Sequence, residues 1–200
     1  MPLLSSTSDP DAWISFPALE LAWAGEVHSG WVRSGIAVHA LHLSAMPWGE
    51  ERVLTVIEAL RSGLGPDFLV IPAEVPEGRM ETSVFLRSLE ALLEALAGRG
   101  VKIALKPARG AAAGLVSLLK EVRCDAVGYC WDDSVGCDLD IISDRLFCAV
   151  GAEGADYPSL QRLGYRWNVA IPAMDPLAAA ELLASLENSH PMIYFPQVLS

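Results

Sequence analysis

The chain has 200 residues, of which 52% are hydrophobic and only 20% charged, and its formal net charge is −11. This length suffices for one domain with a complete core, but it is short for an eight-stranded α/β barrel, which usually takes about 250 residues. The acidic balance argues against nucleic acid and anionic membranes as partners, because both repel negative charge.

The apolar surplus, with a mean hydropathy of +0.34, indicates a two-sided core or a subunit interface. No apolar run approaches the roughly 18 residues of a membrane span. A buried parallel sheet explains most of the surplus, and a homo-oligomer or a protein partner is compatible with the rest. The first eleven residues have neither the basic start nor the apolar core of a secretory signal, so we expect a cytoplasmic protein.

The four cysteines show no CxxC spacing, and in that compartment we expect them to be reduced and mostly buried. They are Cys124, Cys130, Cys137 and Cys148. A metal cluster built from the last three is disfavoured, because the paired-ligand signature is missing.

Predicted strands and helices alternate along the first half of the chain. Residues 1–16 are polar and are expected to form an arm on the surface. Strands are predicted at 17–22, 36–43 and 67–71, with helices at 50–60 and 83–97. Thr82 or Ser83 is the expected cap of the second helix, and Gly98 and Gly100 mark its end. In the second strand, alternation directs Val38, Ala40 and His42 to one face and His39 to the other.

The stretch from 100 to 133 predicts one βαβ unit, with strands at 101–106 and 126–131 and a helix at 111–122. Lys106 ends the first strand and Asp132 follows the second. Both side chains would therefore stand near the carboxyl ends of parallel strands, where α/β folds bind ligands.

The remaining elements are shorter. Strands are predicted at 146–150, 166–171 and 192–195, and helical segments at 159–163 and 177–186. Pro172 closes the second of these strands. Pro176 suits the first turn of the last helix, behind a capping Asp175.

The string GVKIALKP followed by LVSLLKEVRCDAVGYCWD resembles the xylose isomerase-like barrels of the sugar phosphate isomerase and epimerase superfamily. The resemblance runs from about residue 18 to 187. It implies one α/β domain over residues 1–200, an abbreviated (β/α) TIM-type barrel whose helices are shortened or missing at 24–35 and after Asp133. The family's chains begin with a strand before the one that holds Glu20. Since none is evident here, we hypothesise that 192–195 fills its place and closes the ring.

Family members generally hold a divalent ion with two glutamates, an aspartate and a histidine at the strand ends. The resemblance matches Glu20 to the early acidic position, His42 to the histidine that closes the next strand, and Asp132 to the ligand aspartate. Three positions depart from the pattern: Lys106 replaces a ligand glutamate, Val135 stands where a histidine is expected, and Pro172 where a glutamate is expected. Too few ligands remain for a hard cation, so we predict no family-type metal site and no cofactor.

The mouth of the barrel then has two interpretations. Lys106 pairs with Asp132 and Glu20, replacing the charge of the ion and leaving an inert mouth. Alternatively, its amine forms a Schiff base or binds an anionic substrate. His42 is a hydrogen-bonded core histidine or a catalyst. Candidate substrate-binding residues around this mouth are Arg109, Glu74, Trp131 and Trp48.

Three functional hypotheses follow. The first is a sugar isomerase- or epimerase-like barrel that binds a small sugar, sugar phosphate or keto acid without the metal. The second is a non-catalytic barrel that serves as a subunit or scaffold. An open polar pocket at the mouth favours the first, whereas closed ion pairs with Trp131 and Pro172 filling the mouth favour the second. The third is a barrel of the type called domain of unknown function 72, which LGPDFLVIPAEVP and MIYFPQ resemble faintly.

Overall fold

The computed structural model describes residues 3–5, 13, 18–23, 25, 29–120, 122, 124–151, 154–165, 169–171 and 176–189. Its strands form one parallel sheet in which each strand pairs with the next along the chain. They are β1 Leu3–Ser5, β2 Ala18–Ala22, β3 Ala37–His42, β4 Phe68–Ala73, β5 Lys102–Pro107, β6 Val127–Asp132, β7 Leu146–Val150 and β8 Val169–Ala170. This sequential parallel order is that of a TIM-type α/β barrel, here nearly closed, which confirms the predicted fold class.

Helices connect the strands and cover the sheet. They are α1 Ser29–Ser34, α2 Glu50–Arg61, α3 Gly78–Leu96, α4 Ala112–Leu119, α5 Leu139–Ile142, α6 Tyr157–Arg162 and α7 Pro176–Ser189. The two predicted abbreviations are confirmed, because α1 has six residues and α5 has four. No helix in the described ranges is long and apolar enough to cross a membrane.

The amino-terminal strand corrects the sequence analysis. Leu3–Ser5 pairs in parallel with β2, with Leu3 opposite Glu20, so part of the expected surface arm belongs to the sheet. Trp13, in the same stretch, is only 4% exposed. The position that we assigned to residues 192–195 is therefore taken by β1. Residues 192–195 themselves, like Pro172 and Asp175, lie outside the described residues.

Apolar side chains form two layers on opposite faces of the sheet. The inner layer fills the barrel with small and medium side chains: Ala40, Val70, Ala104, Cys130, Cys148, Val150 and Ala170. The outer layer is larger, and Ile103 and Leu105 of β5 pack there with Leu115 and Leu119 of α4, as alternation predicts. Each such leucine or isoleucine contributes about 1.5–3 kcal/mol by leaving water. The layers fix which strand residues reach the barrel axis.

A bulge in β3 reverses the predicted orientation of some of its side chains. Leu19 pairs with Val38, but the next residue, Glu20, pairs with Ala40, so His39 is an extra residue in β3. Such an insertion shifts the alternation by one. Ala40 keeps its predicted place inside the barrel, whereas Val38 packs in the outer layer. The ring of His39 instead lies 5.0 Å from that of Phe68, which borders the inner layer.

Helix α3 begins earlier than predicted. It starts at Gly78, and the carboxylate of Glu81 accepts the backbone N–H of Glu77 at 2.7 Å. Thr82 therefore lies inside the first turns, where its hydroxyl donates to the carbonyl of Gly78, and it is not the cap. The helix ends as expected, because Gly98 adopts the left-handed conformation (φ +75°) that stops a helix.

Candidate functional site

Polar side chains of four strands point into the barrel above the small residues of its core. Glu20 lies in the middle of β2, His42 ends β3, Lys106 is the next-to-last residue of β5 and Asp132 ends β6. Parallel strands bring their carboxyl ends to one side of a barrel. The four residues form two hydrogen-bonded pairs at different depths.

The outer pair is Lys106 and Asp132. Lys106 Nζ donates to Asp132 Oδ2 at 3.2 Å, and the lysine side chain is 26% exposed against 10% for the aspartate. The other carboxylate oxygen accepts two hydrogen bonds from Ser134, from its N–H at 3.1 Å and its hydroxyl at 2.6 Å. The predicted juxtaposition of ammonium and carboxylate is therefore present. The hydrogen bonds from Ser134 orient the carboxylate so that its other oxygen, Oδ2, faces Lys106.

The inner pair is Glu20 and His42, which corrects the expected contact between Glu20 and Lys106. His42 Nε2 and Glu20 Oε2 are 2.5 Å apart, and Glu20 is completely buried. The register explains this pairing, because Ala22 pairs with His42 and Glu20 lies two residues deeper in the barrel. The second oxygen, Glu20 Oε1, is buried with no hydrogen-bond partner among the described residues.

The thiols of the inner layer surround this deeper pair. Burial and a hydrogen bond donated to Cys130 raise the pKa of Cys148, and the Glu20 carboxylate adds to the shift. Burial raises the pKa of Tyr165, with smaller contributions from Cys148 and Glu20. Both groups are therefore held in their neutral forms at neutral pH. These two groups therefore add no charge beside the Glu20 and His42 pair.

The described residues do not form the divalent-ion site of the family that the sequence resembles. They contain no group of three or more His, Cys, Asp or Glu side chains placed to hold a metal ion. The ammonium of Lys106 takes the Asp132 oxygen that an ion would need. Val135 lies in a short 3-10 turn over Asp133–Val135 and offers no ligand side chain. We therefore derive no chemistry through a metal.

The polar candidates next to the mouth lie in its loops. Arg109 is exposed, and its Nε donates to the carbonyl of Val135 at 3.2 Å. It thereby ties the loop after β5 to the turn after β6. Glu74 is exposed directly after β4. The structure thus brings Arg109 to the rim through a backbone contact and leaves Glu74 in solvent.

Both tryptophans pack with the outer layer of the core. Trp131 is 3% exposed and packs in the outer layer, because Cys130 and Asp132 on either side of it face inward. It borders a cleft of about 220 Å³ beside α5 and α6. Trp48 packs edge to face on Phe85 at 4.4 Å and lies under the guanidinium of Arg52 at 4.4 Å. Both are packing residues in this structure.

Sequence reasoning missed two residues that shape the site. Ser134 had a recognisable signal, because a serine two residues after an aspartate favours the turn that it forms. Arg52 had none, since arginines in a first helical turn are normally exposed. Here Arg52 is 2% exposed, donates to the carbonyl of Pro72 at 3.0 Å, and has its pKa lowered to about 10 by burial. It fixes α2 against the end of β4.

Several crystal structures resemble the fold of the chain. The xylose isomerase domain protein from Planctomyces limnophilus matches with a TM-score of 0.75 and 15% identity, over 96% of this chain and 98% of that one. A D-tagatose 3-epimerase-like protein matches with a TM-score of 0.71 and 14% identity, over 95% and 98%. The IOLI protein, solved with a zinc atom, matches with a TM-score of 0.70 and 13% identity, over 94% and 98%.

No protein-family model and no curated protein matches the chain. At identities of 13–15% the structural matches establish the fold alone, a TIM-type α/β barrel.

Proposed function

We propose that this barrel binds a small sugar, sugar phosphate or keto acid at its mouth, with the ammonium of Lys106 in place of a divalent ion. The observation that carries the proposal is the pair of Lys106 and Asp132 at 3.2 Å, in which the lysine keeps 26% exposure. The fold shared with sugar isomerase and epimerase barrels supports the ligand class.

Lys106 can serve a ligand without leaving Asp132. An ammonium has three N–H donors, and within the described residues Lys106 uses one of them, for Asp132. Two donors are left for the oxygens of a phosphate or carboxylate. Asp132 cannot rotate away easily, because Ser134 holds its other oxygen. A ligand with an anionic group is therefore favoured over a neutral polyol.

The inner pair supplies a group that can move a proton. His42 uses Nε2 for Glu20, so its Nδ1 is the nitrogen left for a ligand hydroxyl. A buried carboxylate fixes the orientation and tautomer of an imidazole, as general acid–base catalysis requires. If the ligand is isomerised, His42 is the expected proton carrier and Glu20 its positioning residue. Lys106 would then stabilise the oxygen that gains negative charge.

A second candidate, a non-catalytic barrel, is favoured by a different observation. Each carboxylate at the mouth is already paired, Asp132 with Lys106 and Glu20 with His42. The clefts that stand out among the described residues lie on the outer helices or beside α5 and α6. Carboxylates that already have partners within the protein suit a barrel that acts through its outer surface, as a subunit or scaffold, and not through its mouth. Ligand binding at the mouth distinguishes the two candidates.

The test compares two lysines at opposite ends of one strand. Lys106→Met removes the charge at the mouth, and Lys102→Met removes the same charge at the exposed start of β5. Thermal unfolding is followed with neutral sugars, sugar phosphates and keto acids. A ligand at 100 times its Kd stabilises by about 2.7 kcal/mol, which raises the Tm of a chain this size by roughly 5–10 °C.

We expect a phosphorylated or carboxylated ligand to raise the Tm of the wild type and of Lys102→Met. The same ligand should leave the Tm of Lys106→Met unchanged. Hydrogen exchange of that ligand in D2O, followed by NMR, then reports on catalysis. Stabilisation that survives in Lys106→Met would refute the role of the ammonium. No stabilisation by any of the three classes would favour the non-catalytic barrel.

A further inference from the structure

The loop after β5 holds Arg109 in a hydrogen-bonded turn at the rim of the barrel. The N–H of Ala108 donates to the carbonyl of Ala73 at 2.9 Å, and the N–H of Ala111 donates to the carbonyl of Ala108 at 2.9 Å. Gly110 has a φ of +76°, the left-handed conformation that the third residue of such a turn requires. The backbone of Arg109 is therefore fixed on both sides.

Two contacts with the turn after β6 orient the guanidinium of Arg109. Its Nε donates to the carbonyl of Val135 at 3.2 Å. It also lies against Gly136, because a Cβ built on that glycine would stand 3.4 Å from Nη2 and 3.6 Å from Cζ. The missing side chain of Gly136 thus leaves room for the guanidinium. The side chain of Arg109 is therefore placed before any ligand arrives, although it is exposed.

The outer end of this guanidinium is available to a ligand. Arginine has five N–H donors, and among the described residues Arg109 uses only that of Nε. No carboxylate in the described ranges lies within ion-pair distance of it, 4.0 Å. This includes Asp133 and Asp138, the acidic residues nearest to Gly136 in sequence. The donors of Nη1 and Nη2 form a planar fork that suits a phosphate or carboxylate.

Lys106 and Arg109 contact the same turn. Lys106 donates to Asp132, the residue before the 3-10 turn Asp133–Val135, and Arg109 donates to the last residue of that turn. A 3-10 turn rises about 6 Å over three residues. The ammonium and the guanidinium are therefore held at neighbouring points of the rim, and one small ligand can reach both.

The two cations suit different groups of one ligand. A guanidinium fork binds a phosphate through two parallel hydrogen bonds, whereas an ammonium acts as a point charge. A neutral sugar has no anionic group for Arg109. A keto acid whose carboxylate is bound at Lys106 has no second anion. A sugar phosphate has both an anion for Arg109 and a carbonyl or hydroxyl oxygen for Lys106.

We propose that Arg109 is the specificity-determining residue that binds the phosphate of a sugar phosphate, while Lys106 binds a carbonyl or hydroxyl oxygen of the same ligand. The inference rests on the proposed function, since it requires a ligand at Lys106, and it selects one of the three ligand classes. The net charge of −11 repels anions in general, so binding depends on these two local cations. Phosphate binding at Arg109 leaves Lys106 for the oxygen that reacts.

The experiment compares sugars with their phosphate esters. The probes are ribose and fructose, each with its terminal phosphate ester, and pyruvate as the keto acid. Dissociation constants are measured by isothermal titration calorimetry, or by NMR line broadening of the ligand where binding is weak. The proteins are the wild type, Arg109→Met, Lys106→Met and a control, Arg99→Met. Far-ultraviolet circular dichroism checks that each variant is folded.

Arg99 is the matched control for Arg109. It is also exposed, and its Nε also donates to a backbone carbonyl, that of Ala95 at 3.1 Å. It lies just before β5, at the end of the barrel opposite the mouth. Arg99→Met therefore removes the same charge from the chain without touching the rim.

We expect the wild type and Arg99→Met to bind at least one phosphate ester more tightly than its parent sugar, on the order of 10-fold to 100-fold. Arg109→Met should lose this preference and keep the affinity for the parent sugar. A residue that only ties the two loops together would instead weaken sugar and ester alike, and that result would overturn the proposal.

Failure of this inference is distinguishable from failure of the proposed function. A preference for the ester that survives in Arg109→Met, or tighter binding of pyruvate than of either ester, would overturn the role of Arg109 and leave Lys106 as the ligand-binding residue. Full affinity of Lys106→Met for the ester would overturn the proposed function and leave the phosphate at Arg109. A wild type that binds none of the probes would overturn both.

Discussion

The pair of Glu20 and His42 permits a sharp test of the inner site. His42→Leu removes the hydrogen bond to Glu20 Oε2, whose neighbour Oε1 is already buried without a partner among the described residues. Glu20 is 0% exposed, so water cannot replace the imidazole. Breaking a buried pair by removing one partner costs about 3–5 kcal/mol. Replacing both partners by apolar side chains of similar volume costs far less.

The assay is urea unfolding followed by the fluorescence of the six tryptophans. With a denaturant slope of about 2 kcal/mol per molar, His42→Leu should lower the midpoint by roughly 1.5–2.5 M. The double variant Glu20→Leu with His42→Leu should recover most of this loss. His39→Leu is the control, because its partner Asp67 is 70% exposed and such pairs contribute about 0–1 kcal/mol. A loss below about 1 kcal/mol for His42→Leu, or additive effects of the two substitutions, would contradict a closed buried pair.

Other expectations follow from packing and burial. Gly128→Ala should destabilise by about 1–3 kcal/mol in thermal unfolding, because a Cβ there would lie 2.4 Å from the carbonyl oxygen of Arg145; Gly114→Ala, which meets only a movable valine side chain on the exposed loop after β4, should cost less. In the native protein, iodoacetamide should label Cys124 faster than Cys137, since burial raises the pKa of Cys137 to about 11; equal rates would contradict the burial. Because the folded thiol keeps its proton while an unfolded thiol loses it near pH 9, stability should fall between pH 9 and 11, and Cys137→Ser should reduce that slope.

Much of the fold follows from local patterns. Strand β5 lies within one residue of its predicted bounds, because an apolar run with a glycine before it and a proline at its end has few alternatives. Strand β7 has its predicted bounds. Strand β1 has only three residues, too few to show a period of two. The bulge at His39 depends on how β3 pairs with β2, which no local pattern specifies.

One part of the candidate site could likewise be predicted from local sequence patterns, and another part could not. The contact between Lys106 and Asp132 could be predicted, because both residues stand at the ends of adjacent parallel strands. Parallel strands bring their carboxyl ends to the same side of the barrel. The partner of Glu20 depends on depth in the barrel, which is set by the stagger of neighbouring strands. Trp131 was misplaced for a simpler reason, since alternation from Asp132 already directs it outward.

The proposal that Lys106 takes the place of a divalent ion is tested most directly by titrating Mn²⁺ into the purified protein and following the free ion by electron paramagnetic resonance. The wild type and Asp132→Asn should leave the same amount of free Mn²⁺, because the ammonium already neutralises the Asp132 carboxylate. Binding of one equivalent of Mn²⁺ by the wild type, lost in Asp132→Asn, would contradict a mouth that works without an ion.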